Sequence, residues 1–227
     1  MMSLFPAYFF DLSTFSHAHL FIEDEAPWTA LNRISSYLTS QSLGKIESKV
    51  SEGAYLIDPH LISIGKNTVI EPGAYIKGPC IIGDDCTVRH GAYVRGNLVT
   101  GDHCLIGHDT EVKNCILLNH AHAAHFAYLG DTIIGNRVNL GAGTKCANLK
   151  LNNGNVIIPY QGQQVDTGMR KLGAIIGDDS QLGCNAVTNP GTLLGKNVFC
   201  YPVININGFV PSNSIVRSLQ KLSIVSR

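Results

Sequence analysis

From Ile64 onward the chain sets an aliphatic residue at every sixth position: Ile64, Ile70, Ile76, Ile82, Val88, Val94, Ile106, Val112 and Leu118, with Thr100 the one exception in the series. The residue four places further on is usually small, as at Thr68, Ala74, Cys80, Cys86, Ala92, Cys104 and Thr110. "IGKNTV", "IIGDDC" and "LIGHDT" show the form. The series resumes at Ile134, Leu140, Ile176, Leu182 and Leu194, with partners Val138, Thr144, Ser180, Ala186 and Val198. A helix repeats its apolar face near 3.6 and a strand near 2. A period of six suits neither, but it does suit a short strand and a tight turn repeated as a solenoid, whose units bury their apolar faces only by stacking. The pattern predicts an all-β solenoid over 61–215, interrupted at about 119–127 and 147–173, where loops leave the coil. Three histidines, His120, His122 and His125, fall in the first interruption.

The first 60 residues read differently. Pro27 opens a stretch with Trp28, Leu31, Ile34 and Leu38 at helical spacing, ending before Gly44. This helix is expected to pack its apolar stripe on the open end of the solenoid, where strand edges need cover. Trp28 is read as core. Residues 216–227 form a tail, a short helix or frayed.

Hydrophobic residues make up 44% of the 227, enough for a core, while charged residues are only 15%. Lys plus Arg and Asp plus Glu are both 17, so the overall basic excess that nucleic acid or an anionic membrane would require is absent. No apolar run reaches membrane-spanning length. Seven cysteines without a CxxC pair point to reduced thiols, and the apolar opening "MMSLFPAYFF" lacks a basic lead, so a cytoplasmic protein is expected.

Lys77, Arg95 and Lys113 are spaced eighteen residues apart. On adjacent rungs, about 4.8 Å apart, they would repel by roughly 1 to 3.5 kcal/mol as bare charges. Such a column suggests a bound anion, most simply phosphate, unless acidic neighbours balance it.

The six-residue period resembles the hexapeptide-repeat family. That resemblance implies a left-handed parallel β-helix, three hexads to a coil, and a homotrimer with sites between subunits. The segment "HFAYLGDTIIGNRVNLGAGT" is similar to the acetyltransferase half of the bifunctional enzyme that makes UDP-N-acetylglucosamine. The resemblance, over about 62–215, implies acetyl-CoA as donor and an amino-sugar 1-phosphate as acceptor. It assigns His125 as catalytic base and Asn139 as a second catalytic residue. Arg95, Lys113, Tyr128, Asn148 and Lys171 fall on its sugar-phosphate positions, and Gly141, Ala142 and Cys184 on its acetyl-CoA positions. The nucleotidyltransferase half is missing. Cys184 stands where the family has a small polar residue, and one residue is inserted before Asn148.

The chemistry is coherent in its own right. A neutral imidazole, with an ordinary pKa near 6.5, can take the proton of an amine attacking a thioester. Backbone N–H groups of the 141–143 turn can face the oxyanion, and cations can orient the acceptor by its phosphate. Acetyl transfer of this kind requires no metal. Three rivals remain. "LNHAHAAHF" is similar to the histidine segment of lipid A acyltransferases, which use a UDP-amino sugar and an acyl-carrier protein. His120-x-His122, or His90 with His108, raise a zinc protein of the γ-carbonic-anhydrase type. A trimeric scaffold without activity is the third. His120 and His122 are read as supporting residues.

Overall fold

In the computed structural model, which describes residues 4–218 and 223–226, the hexads close into a prism. Three parallel eight-stranded sheets form its faces, and the coil is left-handed. The chain crosses a first face (Ile62–Ile64, Cys80–Ile82 and their successors), a second (Val69–Ile70, Thr87–Val88 onward) and a third (Tyr55–Ile57, Tyr75–Lys77 onward), then returns to the first. The names covered face, histidine face and tyrosine face are used below in that order. The aliphatic residue of each hexad turns inward from its strand, and Ile64, Ile70, Ile76, Ile82, Val88 and Val94 build the fully buried core from the three faces in turn. Cys80, Cys86, Cys104, Cys115 and Cys146 fill narrow interior places. Burial raises the thiol of Cys80 to about 12 and that of Cys146 to about 11, so both are inert.

Corners are made by residues in the left-handed region, mostly Asn and Asp, whose short polar side chains tolerate it. Asn67, Asp85, Asp179 and Asn197 turn the chain from the covered to the histidine face. Along this corner each backbone N–H finds a side-chain oxygen one coil on: Lys66 on Asp84, Asp84 on Asp102, Asp102 on Asn119.

The predicted loop at 119–127 does not leave the coil. His122–His125 is a strand of the histidine face, in register with Leu105–His108 on one side and Asn139 on the other. Ala123 points inward where Ile106 and Val88 stand in the coils before it, while Ala121 and Ala127 take small-residue places held there by Cys104 and Thr110. The small Ala123, one position off the count of six, is why the hydrophobic signal fades there. The rhythm slips elsewhere. Cys80 pairs with Ile62, eighteen residues back, but Cys115 pairs with Leu98, seventeen back. The missing residue lies at the corner around Asn114, and Ile133 against Ile116 shows the same short coil ending around Asp131. Leu117 therefore takes the interior place, and Leu118 packs outside the prism. The second interruption is a true excursion: Ile175 pairs with Ile133, forty-two back, and the intervening chain forms an antiparallel hairpin, Ile157–Tyr160 with Gln163–Asp166.

The N-terminal region does not cap the open end. The helices α1 (Pro6–Phe9) and α2 (Thr29–Ser40) lie along the covered face. Phe9, Phe15, Leu20, Trp28, Leu31, Ile34 and Leu38 pack there on Val99, Ile116, Ile133, Ile175 and Leu193. The cause is in the strands. Leu98–Thr100, Cys115–Leu117, Ala174–Ile176 and Thr192–Leu194 are buried at every position, so this sheet is apolar on both sides and needs a cover. The hairpin adds Val156 and Ile158 to the same cover. The open end is closed by a partial coil, with Ile46 bridged to Ile64 and Val50 to Ile70. Of the tail, where a short helix or a frayed end was expected, 219–222 and 227 lie outside the described residues. No helix among the described residues is long and apolar enough to cross a membrane.

Two measurements test this arrangement. Ile34 is fully buried between α2 and the covered face, so Ile34→Ala should cost roughly 2–4 kcal/mol in urea unfolding, against nearly nothing if the helix is loosely attached. His17 bonds the Tyr37 hydroxyl at 2.7 Å, and its pKa falls from 6.5 to about 4, first through burial and then through His19. The unfolded chain takes up this proton near pH 6.5, whereas the folded chain resists it until about pH 4. Stability should therefore drop as pH falls through that window, by about 1–2 kcal/mol after allowing for partial exposure. Urea midpoints at pH 7 and 4.5 should converge between wild type and His17→Gln at the lower pH; a constant gap would reject the assignment.

Candidate active site

The expected site residues fall into two groups on faces that meet at one edge. On the tyrosine face, Tyr75, Tyr93, Glu111 and Tyr128 are in register down the outer surface. Two residues further along the same rungs come Lys77, Arg95, Lys113 and Gly130. The cation column exists, but two of its members carry carboxylates. Arg95 Nη1 donates to Glu111 Oε1 at 2.7 Å, which raises the guanidinium pKa. Its Cζ also lies 6.0 Å from the Tyr93 ring centre. Lys113 Nζ donates to Asp131 Oδ2 at 3.2 Å.

Asp131, only 5% exposed, is the hub of this face. Beyond Lys113 it accepts from Asn114 Nδ2 at 2.8 Å and from Asn148 Nδ2 at 2.5 Å. Tyr128 Oη donates to Asn148 Oδ1 at 3.5 Å. Burial, then Glu111 and Asp131, hold the Tyr128 phenol above its ordinary value, so it stays a donor. The return limb of the insertion docks beside this network. Leu149 bridges Lys171, and Leu172 N–H donates to the Asn148 carbonyl at 3.0 Å. Lys171 thereby lines a cavity shared with Asn114 and Asp131. Four of the five expected sugar-phosphate residues are joined through Asp131 and this docked segment: Lys113, Tyr128, Asn148 and Lys171. Arg95 reaches them through Glu111, which is in register with Tyr128. Glu111, Asn114 and Asp131 were not singled out from sequence, although "YLGD" contains the aspartate.

The second group sits on the histidine face and its corner with the tyrosine face. His90, His108 and His125 form a column there, with His125 in register with His108. His90 Nδ1 lies 2.7 Å from the Pro72 carbonyl, and His108 Nδ1 lies 2.9 Å from the His90 carbonyl. The next step breaks this tethering, because the Phe126 N–H takes the His108 carbonyl at 2.8 Å. A Cβ at Gly107 would run into the Ala124 carbonyl, so the tight fit needs glycine there. Neither ring nitrogen of His125 has a partner among the described residues, and the side chain is exposed. Phe126 beside it has φ 53° and is 52% exposed, an unfavourable conformation for a bulky residue.

One coil further on lie Ala142 and then Cys184, tied to His125 by the corner ladder: Gly143 N–H to the His125 carbonyl at 3.0 Å and Asn185 N–H to the Ala142 carbonyl at 2.8 Å. This corrects the expectation of three available donors in the 141–143 turn. Gly141 N–H is bound to the Leu182 carbonyl and Gly143 N–H to His125, leaving Ala142 N–H as the one without an acceptor among the described residues. Asn139 is farther back on the histidine face, in register with His122, and lines a cavity of about 350 Å³ with Gln181, Phe199, Tyr201 and Ile215. It does not join the Asp131 network. His120 stacks on His103 with ring centres 4.5 Å apart, and burial lowers its pKa. Among the described residues no group of three His, Cys, Asp or Glu is placed to hold a metal ion.

Removing the hub carboxylate leaves three donors unmet. Asp131→Ala should lower unfolding stability by roughly 2–3 kcal/mol, and Asp131→Asn should recover only part of it. Equal stability of the three proteins in urea would show that the network is not formed in solution.

Comparison with known proteins gives the family of the chain. The chain is 31% identical over 186 residues to a bifunctional sugar-1-phosphate nucleotidylyltransferase/acetyltransferase of Sulfurisphaera tokodaii, covering 80% of this chain and 45% of that protein. It is 40% identical over 210 residues to the bifunctional protein GlmU of Methanococcus maripaludis, covering 88% and 48%. The chain thus spans about half the length of these relatives. Among solved structures, a UDP-N-acetylglucosamine acyltransferase of Campylobacter jejuni aligns with a TM-score of 0.43 and 14% identity, over 72% of this chain and 69% of that one. A family model, the GMPPB C-terminal domain, matches residues 76–225. The chain belongs to that family, as a left-handed hexapeptide-repeat β-helix related to the GlmU-type acetyltransferases.

Proposed function

We propose that this protein is an acyltransferase that acetylates the amino group of an amino-sugar 1-phosphate, of the glucosamine 1-phosphate type, with acetyl-CoA as donor. The observation that carries the reading is His125: in a column whose other histidines are tethered through Nδ1, it is the ring left unbound among the described residues, one coil from an N–H that none of them claims. The amine lone pair attacks the thioester carbonyl carbon while its proton passes to His125. Ala142 N–H donates to the oxyanion that forms. Collapse of the intermediate expels the thiolate, which recovers the proton from His125, leaving amide and free thiol. Asn139 and Cys184 lie toward the donor and the Asp131 network toward the sugar phosphate. Lys113 and Arg95 flank the phosphate site while keeping their carboxylates, so they lend charge to it from existing pairs.

The two groups occupy adjacent faces of one protomer. In this reading the working unit is a homotrimer, with a neighbouring copy completing each site and covering Phe126, Tyr201 and Val203, exposed by 52%, 52% and 61%. The setting is cytoplasmic, and the reaction needs no metal. Acyl transfer to a UDP-linked amino sugar is the second reading. Its support is the cavity beside Asn139, whose Leu182, Phe199 and Ile215 provide an apolar lining suited to a longer acyl chain.

Thiol release with purified protein separates these. Acetyl-CoA with glucosamine 1-phosphate should turn over, and His125→Ala should lose about 10²–10⁴-fold in kcat with the oligomer unchanged. Release only with acyl-carrier protein and a UDP-amino sugar would select the second reading. Full activity of His125→Ala would reject both.

A further inference from the structure

The cavity at the corner between the tyrosine and covered faces has a wall that the repeat does not supply. Its floor is Asn114 and Asp131, one side is Arg170 and Lys171 from the insertion, and the facing side is Asn32 from α2. Its volume is about 460 Å³, within the range of small-molecule sites. Lys113 and Asp131 pair with each other, leaving Arg170 and Lys171 as the uncompensated charges. Both are exposed, and neither has an ion-pair partner among the described residues. The segment that carries them is held firmly, since Val156 N–H donates to the Met169 carbonyl at 2.8 Å and Leu172 N–H to the Asn148 carbonyl at 3.0 Å. Asn32 is equally well placed. Its helix is anchored by the buried Leu31 and Ile34, its own side chain is exposed, and it has no hydrogen-bond partner among the described residues.

We infer that Asn32 and Arg170 are acceptor-positioning residues, which together with Lys171 hold the phosphate of the acyl acceptor in this cavity, so that the N-terminal region is part of the substrate site as well as a cover for the prism. The inference rests on the acceptor being a sugar phosphate. Two guanidinium or ammonium groups and two carboxamides around a floor whose carboxylate is already saturated by three donors suit a phosphate ester. A sugar 1-phosphate and the diphosphate of a UDP-sugar share that chemistry.

Calorimetry on the full chain, with glucosamine 1-phosphate, UDP-N-acetylglucosamine and inorganic phosphate as separate ligands, tests this apart from turnover. At least one should bind the wild type. Asn32→Ala should weaken it roughly 3–10-fold, Arg170→Ala tenfold or more, and Asn32→Asp more than Asn32→Ala, because a carboxylate then faces the anion. The Asn32→Asp penalty should shrink with added salt. In thiol-release assays the same variants should raise the acceptor KM by similar factors, with kcat and the acetyl-CoA KM within twofold of wild type. Which ligand responds identifies the source of the phosphate. Binding that weakens as expected without any thiol release would leave this site standing and remove the acyltransfer reading. Turnover with an unmoved acceptor KM in Asn32→Asp and Arg170→Ala, Asn32→Asp binding as tightly as Asn32→Ala, or no phosphate ligand binding the wild type would each overturn the inference.

Discussion

In this prism every rung must set one inward side chain on each face directly over the one before, because the parallel backbone ladder and the packed interior leave no room for a displaced residue. The number of residues in a coil can therefore change only at a corner. The short coils end in two such corners, around Asn114 and Asp131, stacked on each other between the tyrosine and covered faces. Asp131 is 5% exposed there, accepting from Lys113, Asn114 and Asn148. The polar network of the candidate site is thus tied to the place where the fold is one residue short.

The same ladder decides which surfaces are free. A sheet apolar on both sides cannot face water, so the covered face is occupied by the N-terminal region and the hairpin. Two faces remain open, and the candidate residues lie on those two and along their margins. Because α2 crosses the covered face, Asn32 reaches the tightened corner, and the return limb of the hairpin brings Arg170 and Lys171 to its other side. A cover required by hydrophobic burial also shapes a polar cavity.

On the opposite edge the ladder creates difference among like residues. His90 and His108 each have Nδ1 against a carbonyl one coil back, which fixes ring orientation and tautomer. At His125 that carbonyl is taken by the Phe126 N–H, and the ring is released. Phe126 is held at φ 53° in the same turn. The surrounding hydrogen bonds over-determine this unfavourable conformation, as at sites where a side chain must be presented.

The period of six determined the solenoid by itself, since only a short strand and corner repeated in stacks buries an aliphatic residue at that spacing, and the residues from Ile64 to Val112 lie where the count places them. The eighteen-residue step likewise determined that Lys77, Arg95 and Lys113 share a column, because register in a coil follows from counting. Counting failed where a corner lost a residue. The fading signal at Ala123 was read as a loop at 119–127, whereas the slip lay at Asn114, since a small inward residue and a shortened turn weaken a hydrophobic pattern alike. Tertiary structure alone decided that α2 lies along a flank, because the outer sides of strands such as Cys115–Leu117 expose their apolar character only once the coil is closed. It alone decided that Arg95 and Lys113 meet carboxylates, that Gly141 and Gly143 spend their N–H groups within the ladder, and that among the described residues His125 is the untethered member of its histidine column. Those facts depend on which atoms become neighbours across coils, and linear spacing does not carry that information.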